Sequence, residues 1–159
     1  MEKSLHSNAL LLQRLFSSLD RRDDKTMAAC YHSKATFEDI AFKLEGKQQI
    51  HDMWRMICAG DIRATFEVVH ADDETGRVRV VDEYTFSDTG RKVRNVIDSR
   101  FKFKDHLVVE HCDTCDPREW AAMAMGGVSG FVAGRVAPLR RFKARRKLQK
   151  FVERHPATP

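Results

Sequence analysis

Residues 93–116 read VRNVIDSRFKFKDHLVVEHCDTCD, and the reading of this stretch decides the fold. Valine, isoleucine and phenylalanine recur on either side of the polar triplet Lys104-Asp105-His106, which predicts two long antiparallel strands folded at that turn. Asp98, His111 and Asp113 interrupt the apolar pattern. A carboxylate among strand residues is costly to bury without a partner, so these positions either reach solvent or line something polar. A long curved sheet carrying a few acids implies a pocket, and does not by itself name a reaction.

Outward from this pair, Ile62–His70 and Arg77–Phe86 read as two more strands. Turns at Asp73-Glu74-Thr75-Gly76 and Ser87-Asp88-Thr89-Gly90 separate them, so the region from Ile62 to Asp113 is an antiparallel meander of four strands. Before it, Leu5, Ala9, Leu12, Phe16 and Leu19 recur at helical spacing, with Leu11 and Leu15 widening the apolar face and Ser4 or Ser7 available as a cap. Asp20–Asp24 is a polar break that also caps a second short helix through Met27, Cys30 and Tyr31. Ala35–Asp39 reads as a short strand, and Ile50, Met53, Trp54 and Ile57 mark a third helix ended by Gly60-Asp61. Helices followed by a meander that curls over them predict an α+β fold, a cone-shaped curved antiparallel sheet wrapped around the N-terminal helices with a cavity between. Asp116-Pro117 stops the last strand and can cap another helix, a glycine-containing segment follows, and Pro138 starts a last helix rich in Arg and Lys. The chain therefore divides into a cone-shaped domain, 1–116, and a C-terminal helical extension, 117–159, packed on it.

A length of 159 residues suits one core. With 42% hydrophobic and 32% charged residues the composition excludes a disordered chain, and no stretch approaches the roughly 20 apolar residues of a spanning helix. Gln13 and Arg14 break the apolar run of MEKSLHSNALLLQRLF and no cleavage site follows, so this segment is expected to be a helix of the mature domain and the protein cytoplasmic. Cys30, Cys58, Cys112 and Cys115 are too few and scattered for a disulfide scaffold. Cys112 and Cys115 form a CxxC string with no second pair to complete a zinc site, and GGVSG around Ser129 lacks the spacing of a nucleophile elbow. The net charge of +5 belongs to the tail: Arg135–Pro159 holds nine Lys/Arg against Glu153, about +8, leaving the rest near −3.

Taken in order, LLQRLFSSLDRRD, CYHSKATFEDIAF, GKQQIHDMW, DTGRKV and HCDTCDPREW resemble the nuclear transport factor 2-like superfamily, which includes ketosteroid isomerase, limonene epoxide hydrolase and the SnoaL-like polyketide cyclases. The resemblance runs from about Leu11 to Trp120. It implies one cone-shaped pocket that hosts many functions, so the fold alone does not settle activity. ATFED resembles the isomerase segment ending in the general base, which falls on Asp39, and IDSRFKF resembles the strand of its oxyanion-stabilising acid, which puts Asp98 there. The isomerase tyrosine falls on Leu15, which cannot donate a hydrogen bond, and this counts against ketosteroid isomerase chemistry. HCDTCD resembles the family's last strand end, with the acid at Asp113 and Cys112 where an arginine often sits. Asp98 and Asp113 could be the two acids of an epoxide hydrolase Asp-Arg-Asp set, with Arg94 and Arg100 of suitable parity for its arginine.

If Asp39, Asp98 and Asp113 face one apolar cavity, desolvation and mutual repulsion raise at least one proton affinity and set an acid beside a base. Asp98, flanked by Val96, Ile97 and Phe101, is expected to be the poised acid. His111 shares strand parity with Asp113 and is a candidate shuttle. Phe37, Trp54, Phe101 and Trp120 are the candidate pocket lining; as core residues they would serve equally well, and Asp39 and Asp113 as strand-end acids would equally suit solvent. The expected ligand is small and apolar, with no metal and no organic cofactor. A homodimer is expected through the outer face of the sheet, nucleic acid is not, and the tail either docks by its Ala144, Leu148, Phe151 and Val152 stripe or makes weak contact with an anionic surface. The reading from a different class is a non-catalytic ligand-binding or dimerisation module.

Overall fold

The computed structural model describes residues 5–157, so the Ser4 cap falls outside it. Helix α1 (Ser7–Asp20) starts at His6, whose Nδ1 accepts from the Asn8 backbone N–H at 3.1 Å, and α2 (Asp24–Ala29) is capped by the Asp23 carboxylate. Strand β1 (Tyr31–Glu38) begins earlier than expected, taking Tyr31 out of the helix. A short β2 (Lys43–Glu45) precedes α3 (Lys47–Cys58). Then come β3 (Arg63–Ala71), β4 (Thr75–Phe86), β5 (Arg91–Lys104) and β6 (Leu107–Thr114), followed by α4 (Pro117–Ala124), α5 (Gly127–Arg135) and α6 (Ala137–Arg154).

The sheet order is β2-β1-β6-β5-β4-β3. The antiparallel meander runs from β3 to β6, but β1 lies parallel to β6, so the sheet is mixed rather than wholly antiparallel. The reason is topological: the chain leaves β1 and returns through α3 and four strands, β2 to β5, before β6, and a crossover of that kind can bring two strands together in the same direction. The fold is α+β, a curved sheet with helices at both chain ends.

Leu12, Leu15, Phe16 and Leu19 of α1 bury one stripe against Ile50, Met53 and Trp54 of α3 and Val78, Val80, Phe101 and Val108 of the sheet. Each fully buried leucine contributes roughly 1.5–3 kcal/mol, so Leu15→Ala would cost about 2–5 kcal/mol once the cavity is counted. The C-terminal extension closes over this domain. Arg140 donates to the Ile40 carbonyl at 3.1 Å, Lys147 pairs with Asp88 at 3.1 Å, and Leu148 is buried in the same core.

The outer face of the sheet, through which a homodimer was expected, is a ladder of cross-strand ion pairs, Arg79–Glu67, Arg94–Glu83 and Lys102–Glu110, with Val69 and Val96 its exposed large apolar residues. Tyr84 and Phe101 point inward because they fall on the other strand parity.

Candidate functional site

Strand alternation places Phe37 of β1, His111 and Asp113 of β6, Asn95, Ser99 and Phe101 of β5, and Asp82 and Tyr84 of β4 on the inner face. Registers Phe37↔His111, Phe101↔His111, Ser99↔Asp113 and Asp82↔Asn95 fix their neighbours. Asp39 follows directly after β1.

A continuous chain of polar contacts runs through this face. Trp54 Nε1 donates to Tyr31 Oη at 3.2 Å, Tyr31 Oη lies 2.8 Å from His111 Nδ1, His111 Nε2 lies 2.7 Å from Asp113 Oδ1, and Ser99 Oγ donates to the same Oδ1 at 2.5 Å. Since Tyr31 Oη accepts from Trp54 and has one proton to give, that proton goes to Nδ1, which leaves Nε2 as the protonated nitrogen facing Asp113. The imidazole is enclosed by Phe101 and Phe37, with ring centroids 4.3 and 4.7 Å away. Burial pushes the Tyr31 hydroxyl well above its ordinary range, so it stays a donor.

Two further acids lie toward the α4–α6 end. Asp82 is pushed up to about 8, first by burial and then by the charge of Asp113, and its Oδ1 is buried with no partner among the described residues. Asp39 is pushed up to about 6 by burial, opposed by hydrogen bonds from the Phe42 and Ala41 backbone N–H groups at 2.6 and 2.7 Å. Asp39 therefore holds the β1–β2 turn with one oxygen. Burial pushes Tyr84 up to about 12, while its hydroxyl accepts from Trp120 Nε1 at 2.7 Å.

Asp98 is corrected. It faces outward, where Arg77 Nε lies 2.7 Å and Arg100 Nε 3.3 Å from its carboxylate, and these guanidinium contacts hold it below the ordinary carboxylate range. The cause is parity: Asp98 shares a side with Val96 and Arg100, while Ile97, Ser99 and Phe101 take the inner side. Arg94 is also on the outer face, paired with Glu83. Phe37, Trp54 and Phe101 pack tightly around His111 instead of lining open space, and Trp120 covers Tyr84 and Phe86. The cone is thus filled at His111. Surface depressions of about 490 and 430 Å³ occur beside Arg77, Arg100 and Lys102 and beside Asp61, Tyr84, Lys92 and Met123, with none of Asp39, Asp82 and Asp113 in their lining.

Asp82, Tyr31 and Ser99 escaped the sequence reading as site residues. The signal was present for Asp82, which continues the inward alternation Val78-Val80-Asp82-Tyr84. All four cysteines are free, and burial raises Cys30, Cys58 and Cys115 to about 11, 12 and 11, which keeps them as thiols. Among the described residues no group of three or more His, Cys, Asp or Glu side chains is placed to hold a metal, and no helix is long and apolar enough to cross a membrane.

Comparison with known proteins agrees with this architecture. No curated protein matches the chain. Among solved structures, a candidate polyketide cyclase from Xanthomonas campestris pv. campestris shares 15% identity over 74% of this chain and 96% of its own, with a TM-score of 0.63. An LEH-like epoxide hydrolase from M. tuberculosis shares 14% over 79% and 95%, with a TM-score of 0.61. A candidate isomerase from Bacillus subtilis shares 18% over 77% and 96%, with a TM-score of 0.64. At such identities these likenesses show a common fold and leave activity open. The SnoaL-like domain pattern matches residues 12–111, well over half of the chain, and the protein belongs to the SnoaL-like domain family.

Proposed function

We propose that the chain binds a small, largely apolar molecule at the α4–α6 end of the cone and performs a cofactor-independent acid/base step on it. The observation that carries this reading is Asp82: a buried carboxyl oxygen with no protein partner, on a group that burial and Asp113 hold protonated near neutral pH. In this scheme Asp82 gives its proton to a carbonyl or epoxide oxygen of the ligand, and Asp113 takes one from carbon or from an attacking water. His111 and Ser99 orient Asp113, as positioning residues. Isomerase, cyclase and epoxide hydrolase chemistry all need this pairing, and the names of the structural relatives are consistent with it. The test is turnover by the full chain of a panel of epoxides and β-dicarbonyl compounds. Activity on any member that Asp82→Asn and Asp113→Asn abolish and Asp98→Asn preserves supports the proposal; activity that survives both inner substitutions sinks it.

A second reading is a non-catalytic ligand-binding or dimerisation module, favoured by one observation: Trp54, Tyr31, His111, Asp113 and Ser99 spend their hydrogen bonds on one another, as a structural polar core does. It predicts ligand binding, or a dimer by sedimentation, without turnover of any panel member.

A further inference from the structure

Helix α5 is amphipathic in the inverse sense. It turns Gly130, Ala133 and Gly134 inward and leaves Val128, Phe131 and Val132 exposed, at 81%, 59% and 38%. The cause is close packing on α4: a Cβ added at Gly130 would lie 2.7 Å from the Ala121 carbonyl oxygen, and one at Gly134 would lie 3.0 Å from the Arg118 Cα. Only the small residues fit against α4, so the large apolar ones are left on the outside. Exposed Val136 is the single residue between α5 and α6, and Phe142 on α6 is 61% exposed. Solvent-facing apolar side chains in such a run mark an interaction surface more often than scattered single ones do.

The charge around this run says what fits it. Arg135 lies over the Phe131 ring at 3.7 Å, and Arg145 and Arg146 follow Phe142 by one helical turn. Lys143, Lys150 and Arg154 continue the exposed side of α6. Among the described residues none of these six cations pairs with a carboxylate, in contrast to Arg141 with Glu38 and Lys147 with Asp88, which dock the helix. A two-fold contact between copies through α5 would set two such basic helices against each other, at a repulsive cost. An anionic bilayer supplies both complements, negative headgroups for the cations and an apolar boundary for Val128, Phe131, Val132 and Phe142.

We propose that the α5–α6 segment docks on an anionic lipid surface, with the α5 face inserted at the headgroup boundary and the α6 cations on the phosphates. The proposal stands apart from the acid/base reading. It is tested by sedimenting the full chain with vesicles of phosphatidylcholine alone or with about a third phosphatidylserine. Binding is expected to the anionic vesicles only, weakening as salt is raised. Val128→Ser/Phe131→Ser should lower the partition coefficient about tenfold at unchanged charge, and Arg145→Glu/Arg146→Glu should lower it at least as far. Both substitute exposed side chains, so unchanged thermal melting confirms the fold, and Val96→Ser on the sheet should bind as the parent does. No binding to the anionic vesicles overturns the proposal. Binding that survives Val128→Ser/Phe131→Ser overturns it in favour of charge alone. Self-association that Phe131→Ser abolishes, without vesicle binding, assigns the face to a second copy.

Discussion

Asp82 and Asp113 share the inner face of the sheet, and the charge of Asp113 adds to burial in pushing the Asp82 carboxyl up to about 8. The folded protein keeps this proton over a range in which the unfolded chain has released it. Proton binding is then greater in the folded state, so this group's contribution to stability falls as pH rises from about 4 to about 8. Asp82→Asn removes the effect. Its stability relative to the parent should climb through that window and reach a gain of a few kcal/mol at the top. Urea unfolding at a series of pH values reads this, and parallel curves for the two proteins would show that Asp82 is not a buried protonated acid.

His111 joins Tyr31 to Asp113 inside an aromatic cage. His111→Phe keeps the ring and removes both polar contacts, leaving Asp113 with Ser99 alone. A buried acceptor that loses such a partner costs about 1–3 kcal/mol, and two bonds are lost, so a loss of about 2–4 kcal/mol is expected. Denaturant unfolding measures it; a change below about 1 kcal/mol would mean that the chain of contacts contributes little to stability.

Asp98→Asn should behave oppositely to Asp82→Asn. The pairs with Arg77 and Arg100 are partly solvated, and the lowered affinity of Asp98 for a proton stabilises the fold above the unfolded value and is lost as pH falls through the folded one. After allowance for solvent screening the loss is about 0.5 kcal/mol at neutral pH. Ligand binding should be untouched, and calorimetric titration of any ligand found would reveal a change.

The β5–β6 turn holds both Asp105 and His106 at positive φ, 53° and 60°. That is the geometry of a two-residue hairpin turn that favours Asn-Gly or Asp-Gly, and histidine is strained in it. His106→Gly should raise stability by about 0.5–1 kcal/mol, seen as a higher melting temperature. A lower one would show that the His106 side chain makes a contact worth more than the strain.

Much of this fold is written in local pattern. The periodicity of Leu12, Phe16 and Leu19 determined α1, the alternation on either side of Asp105-His106 determined the β5–β6 hairpin, and Asp116-Pro117 determined the start of α4, because each depends on residues within a few positions of one another. Parity alone could also have turned Asp98 outward and Asp82 inward; weighing Asp98 by its chain neighbours Val96, Ile97 and Phe101 mixed the two faces of one strand. Three features lay beyond any local pattern. The parallel pairing of β1 with β6 brings Tyr31 to His111 across 80 positions, and it is fixed by packing of the whole sheet on α1 and α3. The rise of Asp82 depends on how completely water is removed and on Asp113 from another strand, which are properties of the assembled interior. The outward face of α5 was decided by contact with α4, where only glycine and alanine fit. Local sequence set the elements and the two faces of each strand; burial and long-range register, which arise only when those elements meet, decided which acids became a site.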